Sequence, residues 1–90
     1  MFSRPMSRLA DQVLAIGARF EGRLPAAVLA SALEYVQYNE AGLALDMLCA
    51  QLVEYQVEIT GDEYARLLSM KSFFYPDASM LRQLARMVKE

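Results

Sequence analysis

The chain has no histidine, no tryptophan and a single cysteine. Without histidine, no Cys–His or Ser–His nucleophile pair can be assembled, and a zinc site of the common Cys/His type lacks its ligands. Neither a G-x-G-x-x-G nor a G-x-x-x-x-G-K-[ST] loop occurs, so the backbone cradles that hold phosphates are missing too. No catalytic residue, metal ligand or cofactor is therefore expected. One cysteine excludes an internal disulfide, which suits a reducing cytoplasm. Cys49 lies among Leu45, Leu48 and Leu52 and reads as a small core hydrophobe rather than a nucleophile. No apolar run approaches the roughly 20 residues needed to cross a bilayer, because Arg, Glu, Asp or Gln interrupts each one. The amino-terminal stretch carries basic residues but no apolar h-region behind them, so export by that route is not expected.

What is present is a chain of 90 residues, 56% hydrophobic and 22% charged, proportions that fold rather than stay disordered. A chain of this size buries roughly 60–65% of the surface its unfolded form exposes, enough for one core, so a single domain spanning 1–90 is expected. Its apolar spacing is helical almost throughout. Leu9, Val13, Ile16 and Phe20 recur at i, i+4, i+7 and i+11, predicting a first helix from Arg4 to Phe20, with Ser3 as cap, Pro5 early and Gly22 ending it. Pro25 marks a second first turn, followed by Val28, Leu29, Ala32, Leu33 and Val36, with an end near Tyr38 or Asn39. Ala41, Ala44, Leu45, Leu48, Cys49, Leu52 and Tyr55 form the most regular stripe, and their small members let a neighbour approach closely, so the third helix is expected to be central. Thr60 and Glu63 stand in the S/T-x-x-E relation of a capping box, with Asp62 adding negative charge to the first turn of a fourth helix. Tyr64, Leu67, Leu68 and Phe74 line one side of that helix, with Met70 and Phe73 off the line. Tyr75-Pro76-Asp77 then breaks the pattern. Asp77 or Ser79 can cap a last helix carrying Leu81, Leu84, Ala85 and Val88. Period-two alternation is too short for a strand, the best case being Tyr55 to Ile59. The expected fold is all-α, a compact bundle of four to five short helices.

Charge is distributed unevenly. From Leu24 to Ala65 there are Glu34, Glu40, Asp46, Glu54, Glu58, Asp62 and Glu63 and not one Lys or Arg, while all nine basic residues lie outside. Such a concentration costs stability through self-repulsion and serves as a steering field for a cationic partner, unless basic helices pack beside it and neutralise it locally. Glu34, Tyr35 and Tyr38 fall off or at the margin of the second helix's apolar stripe. Asp46 and Glu54, eight residues apart, fall on one side of the third, opposite Leu45, Leu48 and Leu52. Exposed tyrosines beside carboxylates resemble a protein interface. An acidic middle also repels phosphates, so no nucleic acid is expected as a partner, and no membrane.

The stretch Ala32-Leu33-Glu34-Tyr35-Val36, Asn39-Glu40-Ala41-Gly42-Leu43-Ala44-Leu45-Asp46, Leu48-Cys49-Ala50-Gln51-Leu52-Val53-Glu54-Tyr55, then Ile59 and Glu63-Tyr64, resembles the Maf-type immunity family found beside polymorphic bacterial toxins. The likeness covers roughly a third of the chain. It consists of a helix ending near N-E, a Gly-Leu-Ala-Leu start to the next, and an L-x-x-Q-L-x-E-Y end. Met1 to Gly22 and Met80 to Glu90 carry none of it. The resemblance implies a cytoplasmic antitoxin that binds a toxin's C-terminal domain, often a ribonuclease of the EndoU type, in a 1:1 complex. A ribonuclease holds RNA phosphates and tends to be basic, so an acidic inhibitor can cover that surface. The residues expected to do so are Glu34, Tyr35, Tyr38, Glu40, Asp46, Glu54, Tyr55 and Glu58. Two other classes compete. A small acidic secretion chaperone or adaptor would present an exposed apolar groove and dimerise. A helix-turn-helix regulator would use Arg82, Arg86 and Lys89 as its basic face.

Overall fold

The computed structural model describes residues 7–71 and 78–89. Five α-helices follow one another: α1 (Ser7–Ala18), α2 (Ala26–Glu34), α3 (Ala41–Glu54), α4 (Gly61–Lys71) and α5 (Ala78–Arg86), with a 3₁₀ turn, Tyr35–Tyr38, continuing α2. The fold is the expected all-α bundle of short helices. None of these helices is long and apolar enough to cross a membrane.

The third apolar stripe builds the centre. Ala41, Ala44, Leu45, Leu48, Cys49 and Leu52 of α3 are all buried, and α3 touches every other helix as well as the 3₁₀ turn. Val13, Ile16 and Phe20, then Leu29 and Ala32, Leu67 and Met70, and Leu84 complete one hydrophobic cluster around it. Three leucines fully removed from water at 1.5–3 kcal/mol each make α3 a major source of stability, on the order of 6 kcal/mol before entropy is counted. Gly17 lets α1 and α2 approach closely. A Cβ there would stand 2.9 Å from both Leu33 methyl carbons.

The helix ends explain where the pattern stops. Asn39 takes a left-handed conformation with φ 63°, while its amide donates to the Val36 carbonyl and that of Glu40 donates to Tyr35. Gln56, with φ 51°, repeats the device after α3: its amide bonds the Val53 carbonyl, and the Val57 amide bonds that of Leu52. Both are paired 6→1 and 5→2 closures that satisfy the last free carbonyls. Val57 and Leu52 are buried, supplying the apolar contact that accompanies such a closure.

Several expectations are corrected. The first helix ends at Ala18, Phe20 is buried from a tightened turn beyond it, and Gly22 uses its φ of 86° in the following loop rather than ending the helix. Pro25 is the N-cap of α2, not its first residue. Tyr55 leaves the buried stripe because the chain turns left-handed at the next residue, and it is 48% exposed. On α4 the buried line is Glu63, Leu67 and Met70, while Leu68 is exposed. Val88 lies beyond α5, paired as a parallel bridge with Ile59; the Ile59 amide donates to Met87 and the Lys89 amide donates back to Ile59. Ser79 is the second residue of α5, where its hydroxyl meets the Gln83 amide at 3.3 Å. Ser3, Arg4, Pro5, Phe73, Phe74, Tyr75, Pro76 and Asp77 lie outside the described residues.

Candidate interaction surface

The seven acidic residues of the middle stretch separate into two populations. Glu63 belongs to the interior. Its side chain closes the predicted capping box: the Glu63 amide donates to Thr60 Oγ1 at 3.0 Å, and the Thr60 amide donates to Glu63 Oε1 at 2.9 Å. The same carboxylate, 1% exposed, accepts from Arg19 Nε at 2.9 Å, from Arg23 Nη2 at 2.7 Å and from Arg23 Nη1 at 3.2 Å. Arg23 also donates to the Glu58 and Arg19 carbonyls and lies 4.6 Å from the centre of the Phe20 ring. Burial alone pushes the Glu63 carboxyl up, but the hydrogen bonds from Arg23, the Thr60 amide and Arg19, with the Arg23 charge, outweigh it and hold the pKa at about 2. A carboxylate with four donors on two oxygens has no lone pair left for chemistry and no proton to give near neutral pH. Asp62 is likewise occupied, by Arg66 at 3.0 Å one turn on.

The remaining acids face outward. Glu34, Glu40, Asp46, Glu54 and Glu58 are exposed. Glu58 reaches Lys89 only at 4.0 Å, with both side chains about 70% exposed, a pair of little energetic weight. Among the described residues, no cation lies within ion-pair distance of Glu34, Glu40 or Glu54. Local neutralisation by basic segments is therefore real for Glu63 and Asp62 and does not extend to these three.

For Glu54 the placement is itself unfavourable to the free chain. Glu54 is the last residue of α3, which has no basic residue in its last turn, whereas Glu34 is followed by the 3₁₀ turn and Glu40 is the N-cap of α3. A negative charge at the negative end of the helix dipole costs roughly 0.3–1 kcal/mol. Along α3, steps of 100° put Leu43, Asp46 and Glu54 within an outer arc of about 80°, and all three are exposed. Seven of the eight predicted residues fall into two clusters, with Asp46 on α3 between them. Glu34, Tyr35, Tyr38 and Glu40 gather where α2 hands over to α3; Glu54, Tyr55 and Glu58 gather at the other end of α3, roughly 20 Å away by helix rise. Tyr38 is 66% exposed, whereas Tyr35 is half-buried against the core.

Two open grooves flank α2. One, of about 500 Å³, runs between Leu14 of α1 and Ala30, Leu33, Glu34, Val36 and Gln37. The other, about 310 Å³, lies between Val28 and Ser31 of α2 and Met47 and Gln51 of α3. Among the described residues, no cluster of His, Cys, Asp or Glu could hold a metal ion. Sequence reasoning missed the first groove because Leu14 falls outside the α1 stripe. An apolar residue on the polar side of a helix is the signal that could have found it.

Compared with protein-family models, with curated proteins and with solved structures, the chain matches none of them.

Proposed function

We propose that the chain is an immunity protein: a cytoplasmic antitoxin without catalysis of its own, which binds a cationic toxin domain one to one and keeps it from its RNA. A basic ribonuclease of the EndoU type is the partner this reading favours. The observation that carries it is the exposure of Glu34, Glu40 and Glu54 without a cation among the described residues, next to exposed Tyr38 and Tyr55. Exposed carboxylates gain from a partner's arginines and lysines what the fold itself does not supply, Glu54 the more so at the negative end of α3. The tyrosines offer contact area with a polar end, the kind of side chain on which tightness depends. The two acidic clusters, roughly 20 Å apart, fit within one standard interface of about 800 Å² per partner. The decisive experiment is co-expression with the C-terminal domain of the large protein encoded next to this one. Restored growth and a stoichiometric complex are expected; continued killing with no complex ends the reading.

A second reading, a small acidic secretion chaperone, is favoured by the open groove at Leu14, Leu33 and Val36. It predicts a stable dimer of the isolated chain by sedimentation, where the immunity reading predicts a monomer.

A further inference from the structure

We infer that the groove between α1 and the α2–3₁₀ run receives a cationic amphipathic helix of the partner protein. This rests on the reading of the chain as a binder of a cationic domain, and it assigns the docking element to a face that the sequence pattern does not mark.

The floor of the groove is apolar. Leu33 and Val36 form it, half-buried against the core, and Leu14 stands beside them 43% exposed. An exposed leucine beside two half-buried aliphatic side chains leaves area that water covers at a cost of about 25 cal/mol per Å². The outer face of α2 does not obstruct approach. Ala27, Ala30 and Ser31, exposed at helical spacing, keep the ridge low, so a second helix can lie close to the backbone with its side chains dropping in beside Leu14.

Charge selects the occupant. Glu34 lines the groove, the last residue of α2 before the 3₁₀ turn. On α1, Asp11 is exposed one turn before Leu14 and about 60° around the axis from it, outside the residues that line the groove. Arg8 lies about 120° from Leu14, about 60° beyond Asp11, and Arg19, just past α1, is turned to Glu63 of α4. Glu34 is therefore the charged residue of the groove, and among the described residues that line it there is no Lys or Arg. An acidic helix or a nucleic acid backbone is repelled here. A helix with leucines on one face and a lysine or arginine flanking them satisfies the apolar floor and the Glu34 edge together.

The test uses the full chain, labelled with ¹⁵N, and a synthetic helix of about 18 residues with leucine on one face and lysine on the other. Its glutamate counterpart serves as the control. The expected result is that the lysine peptide shifts the amides of Leu14, Ala30, Leu33 and Val36, while the glutamate peptide does not. Leu14→Ser weakens binding about fivefold or more, and Leu68→Ser, at an equally exposed leucine of α4, leaves it unchanged. Ala30→Arg, an exposed position that does not bear on folding, abolishes the shifts. Shifts mapping to α4 or α5, or equal binding of the two peptides, overturn the inference. So does a concentration-dependent change at the same four amides without peptide, which assigns the groove to a second copy. Groove binding without protection from the toxin removes the immunity reading alone; protection unaffected by Leu14→Ser and Ala30→Arg removes the groove alone.

Discussion

Arg23 reaches across 40 residues of chain to place Nη2 2.7 Å from Oε2 of Glu63. That contact, with the Arg19 bond beside it, ties the end of α1 and its loop to the first turn of α4, and it withdraws the most buried carboxylate of the acidic middle from the surface. The negative potential left for a partner therefore comes from Glu34, Glu40 and Glu54, not from the whole acidic stretch.

Replacing Glu63 by Gln removes the charge while keeping one carbonyl acceptor. The carbonyl can keep the bond from the Thr60 amide, and two guanidinium groups then meet the new NH2 where Oε2 stood. Breaking a buried pair from one side costs about 3–5 kcal/mol, but both arginines are more than a third exposed, so about 2–3 kcal/mol is expected. Urea unfolding of E63Q at neutral pH measures it. A loss below about 0.5 kcal/mol would mean the triad is incidental to folding.

The same carboxylate sets an acid limit. Its pKa in the folded chain is about 2 against an ordinary 4.5, so the folded state binds the proton less readily than the unfolded one. The stabilisation is fully present above about pH 5 and is lost as pH falls from there toward about 2. Urea midpoints taken across this window should fall more steeply for the parent than for E63Q. Parallel curves would place the acid sensitivity elsewhere.

Gln56 pays for its left-handed φ of 51° because its Cβ crowds the following carbonyl. Glycine meets no such crowding, so Gln56→Gly is expected to raise stability by about 0.5–1 kcal/mol despite its greater freedom when unfolded. Thermal denaturation gives the sign directly. A lowered melting temperature would show that the Gln56 side chain makes a contact worth more than the strain.

Local signals in the sequence were legible where one short stretch decides the outcome. The α3 stripe emerged with six of its seven members buried, and the Thr60–Glu63 box formed as its spacing implied. The seventh, Tyr55, was lost to a left-handed turn at Gln56, a residue type that gives little warning of one. Glu63 shows the harder case. A carboxylate counts as polar in any periodic pattern, so the buried line Glu63, Leu67, Met70 was invisible until Arg19 and Arg23, 44 and 40 residues away, came into place. Val88 left its expected helix for a similarly distant reason, the backbone pairing with Ile59. Exposure of Glu34, Asp46 and Glu54 followed from helical spacing alone. The separation of Glu34 from Glu54 into two clusters did not, because it depends on which end of α3 a residue lies near.

The most direct measurement is the association rate of the chain with the toxin domain, followed by stopped flow from about 50 mM to about 300 mM salt. The parent is expected to associate fast at low salt and to slow at least about tenfold across the range, while Glu34→Lys, Glu40→Lys and Glu54→Lys combined should start about tenfold slower with a flattened salt dependence. Identical rates and identical salt slopes for the two would contradict a steering role for the exposed acids of α2 and α3.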